Sequence, residues 1–142
     1  MKTNTASAVW KGNLKSGSGQ MSLGKSKVAF PFSFSSRFEN GEGSNPETLI
    51  GAAHAGCFSM AFSNMLSEKG HEPNSVSTSA KIILDMVDGG FRITESQLSV
   101  EADVPGIDEG LFQKLALEAK ENCPVSKALT SVKISLNAKL KN

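Results

Sequence analysis

Cysteine is scarce in this sequence: Cys57 and Cys123 are the only two. Small secreted scaffolds stapled by disulfides need at least two pairs, so that class is excluded. Charge of either sign is not in excess. The formal net charge is +1, and nothing in that balance points to DNA, RNA or an anionic membrane. A long uninterrupted apolar run is also lacking. The longest apolar stretch, Leu49 to Met65, is broken by His54, Ser59 and Ser63 and is rich in Gly and Ala, which argues against a membrane span. The opening residues, Met1-Lys2-Thr3-Asn4-Thr5, are followed by no apolar segment of a secretory leader, so a cytoplasmic location is expected. Internal repeats and low-complexity tracts do not occur. What remains is a length of 142 residues, enough for one domain that buries a real core without metal or disulfide staples.

The pattern of apolar residues predicts an α+β fold. Residues 6–34 read as short strands around Ala8-Val9-Trp10, Met21-Ser22-Leu23 and Val28-Ala29-Phe30, with Gly12, Gly17, Gly19 and Gly24 between them. A polar, glycine-rich loop follows at 39–45. Asn45, Pro46 and Glu47 form a strong helix start, and Gly70 supplies a stop after about Lys69. The helix is apolar on nearly every face, as expected for one buried in the protein or against a partner. Its small residues, Gly51, Ala52, Ala53, Ala55 and Gly56, would admit a second helix closely. Two long strands come next, joined by a hairpin turn at Asp88-Gly89-Gly90. Phe91 and Ile93 are out of phase with Leu98, Val100, Ala102 and Val104, so a bulge is expected near Thr94. A second helix runs from its cap Asp108 to Asn122, and Cys123-Pro124 interrupts it before a short helix over Val125 to Leu129. Val132, Ile134, Leu136, Ala138 and Leu140 mark a final strand. The expected architecture is antiparallel sheet packed around a long buried central helix.

The chemistry-bearing residues are few. Cys57 lies mid-helix, beyond the turn in which the helix dipole acts, so a cation must lower its pKa if it is to react as thiolate. Arg37, Arg92 and the lysines are the candidates. Arg37 stands out among Phe32, Phe34 and Phe38, although a surface arginine packing its stem on aromatics would look the same. Cys123, just before Pro124, falls at the N-cap of the short helix, placed to swing toward a partner sulfur or simply to fill the core at a helix break. His54 shares a helix face with Cys57, which permits a Cys–His dyad or an ordinary packing contact. His54, Cys57, Cys123 and His71 match no recognised zinc spacing, and His71 is expected at the surface. Two rival classes stay open on this reading. One is a non-catalytic stress-related ligand binder whose cysteines pack the core; the other is a Cys57–His54 hydrolase or acyl-transfer enzyme.

The run Asn45-Pro-Glu-Thr-Leu-Ile-Gly-Ala-Ala-His-Ala-Gly-Cys57-Phe-Ser-Met60-Ala strongly resembles the OsmC (osmotically inducible protein C) and organic hydroperoxide resistance family. Arg37-Phe-Glu39, Val104-Pro-Gly-Ile107 and Cys123-Pro-Val-Ser126 also resemble the OsmC branch, so the likeness spans essentially the whole chain. Thr48 departs from the pattern, where many such sequences carry a second Glu. The resemblance implies a thiol peroxidase that reduces organic hydroperoxides, with Cys57 peroxidatic, Cys123 resolving, Arg37 activating and Glu47 orienting the guanidinium. It implies no bound cofactor, an external dithiol reductant such as a lipoyl group, and an intertwined homodimer with sites at the subunit interface. A single domain over 1–142 is expected, with the strands of 6–34 exchanged with or packed on the partner. Phe58, Met60, Phe62 and Leu129, near the two cysteines in sequence, are candidates for an apolar substrate pocket. Glu47 and Cys57 lie roughly 15 Å apart along a straight helix, too far for one arginine to touch both. The Arg37–Glu47 pair reaching Cys57 is therefore expected from the other subunit, or else the helix kinks near Gly51.

Overall fold

The structure is a computed structural model and describes residues 1–141. By its own contacts the chain gathers into two compact units, Met1–Leu49 and Ile50 onward.

The first unit is built on an antiparallel sheet of β1 (Ala6–Lys11), β2 (Ser18–Leu23) and β3 (Ala29–Phe32), in that order. Gly19 pairs with Phe32, and a Cβ at Gly19 would sit 2.7 Å from that ring and from the Val9 carbonyl oxygen. Only glycine fits there. A short helix follows, α1 (Phe34–Phe38), which the sequence reading does not include. It is nucleated by a reciprocal cap: the Ser36 N–H donates to Ser33 Oγ at 3.1 Å, and the Ser33 N–H to Ser36 Oγ at 2.9 Å. Ser36 Oγ also donates to the Ser44 carbonyl at 2.7 Å, fastening the glycine-rich loop.

Helix α2 (Pro46–Glu68) starts and stops where the residues call for it. The Thr48 N–H donates to Asn45 Oδ1 at 2.8 Å and the Asn45 N–H to Thr48 Oγ1 at 3.1 Å. Thr48, the departure from the family pattern, thus completes a capping box in place of a glutamate. At the other end Gly70 takes φ +82°, and the N–H groups of Gly70 and His71 donate to Ser67 and Leu66 carbonyls, each at 2.9 Å.

In the second unit β4 (Ser75–Val87) pairs antiparallel with β5 (Gly90–Asp103). Asp88 and Gly89 both have positive φ, 51° and 80°, the backbone of a two-residue hairpin turn. Ile83 faces Glu95 while Leu84 faces Ile93, so Thr94 is the extra residue and the expected bulge lies there. The next strand corrects the expectation of purely antiparallel sheet. β6 (Lys133–Leu140) runs parallel to β5 along its outer edge, because α3 (Glu109–Asn122) and α4 (Pro124–Ala128) carry the chain back across the sheet before it enters β6. Asp108 caps α3, accepting from the Gly110 and Leu111 N–H groups.

Phe58, Phe62 and Leu66 of α2 meet Leu98, Val100 and Ala102 of β5 and Phe112, Leu115, Ala116 and Ala119 of α3 in one core. The centre is aromatic: Phe62 lies 5.6 Å from Phe58 and 5.3 Å, edge-on, from Phe112. Gly51 lets the helix backbone close on β4, since a Cβ there would lie 3.2 Å from the Ala80 carbonyl oxygen. The helix is not buried all round, however. Ala52, Ala53, Gly56 and Met60 are exposed, because this unit has a core for one helix face only. Among the described residues α2 is the one helix long and apolar enough, by length and composition, to cross a membrane. Here His54, Phe58, Phe62 and Leu66 are instead enclosed by protein.

Candidate functional site

The Arg37 and Glu47 expected to act together are brought together within the first unit. Arg37 Nη2 donates to Glu47 Oε1 at 2.8 Å, and its Nε donates to Oε1 and Oε2 at 3.2 and 3.3 Å. Such a bidentate grip fixes the plane of the guanidinium as well as its position. Arg37 sits in the last turn of α1, and Glu47 in the first turn of α2, where its charge also favours the helix. The guanidinium carbon lies 5.2 Å from the centre of the Phe38 ring, within cation–π range. A cleft of about 190 Å³ opens beside it, walled by Trp10, Leu14, Phe32, Phe34 and Phe38.

The second unit brings the two cysteines together from distant parts of the chain. Cys57 comes from the middle of α2 and is partly buried; Cys123 is buried at the junction of α3 and α4. The two are free thiols, and Cys123 is near enough to Cys57 to perturb it. As the sequence reading expects, Cys123 is the N-cap of α4 with Pro124 in the first turn, and its sulfur accepts the Ser126 N–H at 3.3 Å. The electrostatics run against the expected thiolate. Burial pushes the Cys57 thiol up from its ordinary value; a hydrogen bond from the Val125 backbone N–H pulls it down; Cys123 raises it further, as hydrogen-bond partner and as a charge. Among the described residues no Lys or Arg contributes.

His54 does not pair with Cys57. Its ring is fully buried, with Nδ1 at 2.7 Å from Ser96 Oγ and Nε2 at 2.8 Å from Ser126 Oγ. Burial lowers its pKa, so the neutral ring is favoured. Both ring nitrogens are taken, which leaves none for a Cys–His dyad. Ser96 and Ser126 are absent from the sequence-based site, and no local spacing could have indicated them, since the histidine reaches across to a strand and to another helix. His71 is half-buried, and no cluster of metal-ligating side chains occurs among the described residues. The four candidate pocket residues do not line one cavity. Phe58 and Phe62 are fully enclosed in the core, whereas Met60 is 77% exposed and Leu129 is half-buried after α4. The reason is helical phase: 58 and 62 share the core face of α2, and 60 lies opposite.

An α+β chain that presents two facing thiols, one mid-helix and one at a helix cap, is of the kind found in thiol-based redox proteins. The OsmC-like protein family matches residues 39–137, and the chain belongs to that family. It is 47% identical over 136 residues to the peroxiredoxin OsmC of Escherichia coli strain K12, covering 95% of this chain and 94% of that protein. It is 34% identical over 89 residues to an organic hydroperoxide resistance protein of Xanthomonas axonopodis pv. citri, covering 62% of this chain and 61% of the relative. The fold matches the crystal structure of the organic hydroperoxide resistance protein OhrB of Bacillus subtilis with a TM-score of 0.72 and 27% identity, over 96% of this chain and 98% of that one.

Proposed function

We propose that this chain is a cysteine-based peroxidase that reduces organic hydroperoxides to alcohols in defence against oxidative and osmotic stress. The observation that carries the reading is the meeting of Cys57 and Cys123 as free, facing thiols. In the first step the Cys57 thiolate attacks the distal oxygen of ROOH; the O–O bond breaks, the alkoxide leaves and takes a proton as ROH, and Cys57 becomes a sulfenic acid. Cys123 then attacks that sulfur, the S–O bond breaks, and a disulfide and water result. An external dithiol, a lipoyl group by family resemblance and dithiothreitol in the test tube, restores both thiols. No bound cofactor is needed.

Arg37 of a second copy, with Glu47 holding its plane, is the activating cation; it stabilises the Cys57 thiolate and the charge developing on the peroxide oxygens. The aromatic cleft beside Arg37 suits an alkyl or aryl group and gives organic hydroperoxides an advantage over hydrogen peroxide. The exposed apolar stripe Ala52, Ala53, Gly56 and Met60 favours a homodimer in which a second copy covers α2, with the strands of 6–34 packed on the partner. Reduced thiols suit a cytoplasmic setting. The test is turnover of cumene hydroperoxide against hydrogen peroxide with dithiothreitol. Cys57→Ser should abolish the first turnover and Cys123→Ser should stall after it. Equal turnover by wild type and both variants would refute the reading in favour of a ligand binder with structural cysteines.

A further inference from the structure

We infer that Ser126 and His54 form a buried proton relay that deprotonates Cys123, so that the resolving thiol has its own activating group, separate from the one that serves Cys57. The inference rests on the peroxidase reading and assigns a role to residues that reading leaves unused. Three elements supply a continuous chain: Ser96 from β5, His54 from α2, Ser126 from α4. The contacts are 2.7 Å from Ser96 Oγ to His54 Nδ1, 2.8 Å from Nε2 to Ser126 Oγ, and 3.1 Å from Ser126 Oγ to Cys123 Sγ. His54, Ser96, Ser126 and Cys123 are all buried. Four polar groups gathered from three elements are costly to bury unless every bond is made. Here each buried side-chain nitrogen and oxygen has a partner among the described residues, and the chain ends on the sulfur whose proton the second step must remove.

The relay uses the tautomer protonated on Nδ1, one of the two that the ring contacts admit. With Nδ1–H donating to Ser96 Oγ, Nε2 accepts the Ser126 hydroxyl, and Ser126 Oγ accepts the Cys123 S–H. As Cys123 sulfur attacks the sulfenyl sulfur of Cys57, its proton passes to Ser126 Oγ while the Ser126 proton passes to Nε2. The S–S bond forms, the S–O bond breaks, and the departing hydroxide takes a proton from solvent. His54 later returns its proton to solvent, so the sum is one disulfide and one water, with Cys57 sulfur reduced and Cys123 sulfur oxidised. Burial keeps the ring neutral, with a lone pair free on one nitrogen, and hastens the return of any proton it takes. The titratable group in contact with the relay is Cys123, itself near Cys57. From β5 it meets the Ser96 hydroxyl and from α4 the Ser126 hydroxyl, and among the described residues no charged side chain contributes to the His54 shift.

The experiment follows single turnovers with cumene hydroperoxide, quenched at intervals and read by mass spectrometry for trapped Cys57 sulfenic acid and for disulfide. In wild type, disulfide closure should vary little with pH around neutrality. Ser126→Ala and His54→Gln should leave sulfenic acid formation unchanged, slow closure on the order of tenfold to a hundredfold, and make it rise steeply with pH through neutrality, since solvent must then take the thiol proton. Ser126→Thr, which keeps the hydroxyl, should restore the wild-type rate and profile. Closure at wild-type rate and pH dependence in both Ser126→Ala and His54→Gln would overturn the relay. If those variants do not fold, ring-nitrogen NMR of the wild-type protein decides: a neutral ring protonated on Nδ1 supports the relay, and a proton resident on Nε2 at neutral pH overturns it. A wild type that forms neither sulfenic acid nor disulfide would remove the peroxidase reading itself, a result distinct from normal chemistry with indifferent variants.

Discussion

Replacing Arg37 by methionine keeps much of the stem and deletes the charge, and its effect can be worked from the thiol outward. A cysteine of ordinary pKa, about 8.5, is roughly 3% thiolate at about pH 7. A peroxidatic thiol tuned to about 6 is roughly 90% thiolate at the same pH. Losing the tuning cation therefore costs about thirtyfold in the rate of attack, or about 2 kcal/mol of barrier. Burial and Cys123 push Cys57 above its ordinary value and deepen the loss of thiolate, while the greater nucleophilicity of a more basic thiolate returns part of the rate. The thiolate should be titrated by ultraviolet absorbance and alkylation rate in a Cys123→Ser background, where one cysteine remains, alongside single-turnover consumption of cumene hydroperoxide. Arg37→Met should move the Cys57 pKa up and slow consumption at neutral pH, with much of the rate returning in alkaline buffer. Glu47→Gln, which loosens the guanidinium without removing it, should give a smaller change in the same direction. An Arg37→Met protein with unchanged thiol pKa and unchanged rate would refute the assignment of Arg37 as the activating cation.

Mixing Cys57→Ser with Arg37→Ala subunits should restore part of the activity if the cation is donated across a dimer; mixed dimers as inactive as their parents would refute that donation. Phe62→Ala should cost about 3–5 kcal/mol in denaturant unfolding, since Phe62 is fully buried between Phe58 and Phe112. Asn45→Ala should cost about 1 kcal/mol through the lost cap, again read by unfolding. His54 has a folded pKa below its unfolded value, so the unfolded chain binds the proton more readily. The stability from keeping the ring neutral is complete above about pH 6.5 and declines as pH falls below it, by at most about 1.4 kcal/mol per pH unit. Urea midpoints measured through that window should show a shallower acid slope in His54→Gln.

Local chemistry explains which features the sequence revealed. Asn45, Gly70, Asp108 and Pro124 each mark a helix end by a hydrogen bond or a φ angle that a few residues decide, and the phase change at Ile93 reveals the bulge at Thr94 because side-chain alternation has no other way to reset. The features it hid depend on long-range pairing. Helix α1 is one turn with its signal in two serines. The parallel pairing of β6 is set by where two helices deliver the chain, not by its own alternation, which reads the same in either direction. The exposed side of α2 could not be separated from the buried side in a helix apolar all round. Arg37–Glu47 and Cys57–Cys123 became expectations through family resemblance, whereas the Ser96–His54–Ser126 chain had no motif to reveal it.

The state of Cys57 ties these observations to assembly. A partly buried thiol beside a second thiol is driven toward the protonated form, and among the described residues the Val125 N–H is the one opposing influence. Lowering its pKa therefore needs charge from outside that set of groups, and the gripped guanidinium of Arg37 is a cation already oriented by its partner Glu47. In the proposed peroxidase the reactivity of the thiol then depends on a second copy of the chain that brings its Arg37. A variant that leaves both units folded but disturbs the uncovered face of α2, such as Met60→Asp, should lose peroxidase activity and raise the Cys57 pKa together, in proportion to the loss of dimer by sedimentation. A monomeric Met60→Asp protein that retains a reactive thiolate would show that one copy of the chain supplies the cation by itself.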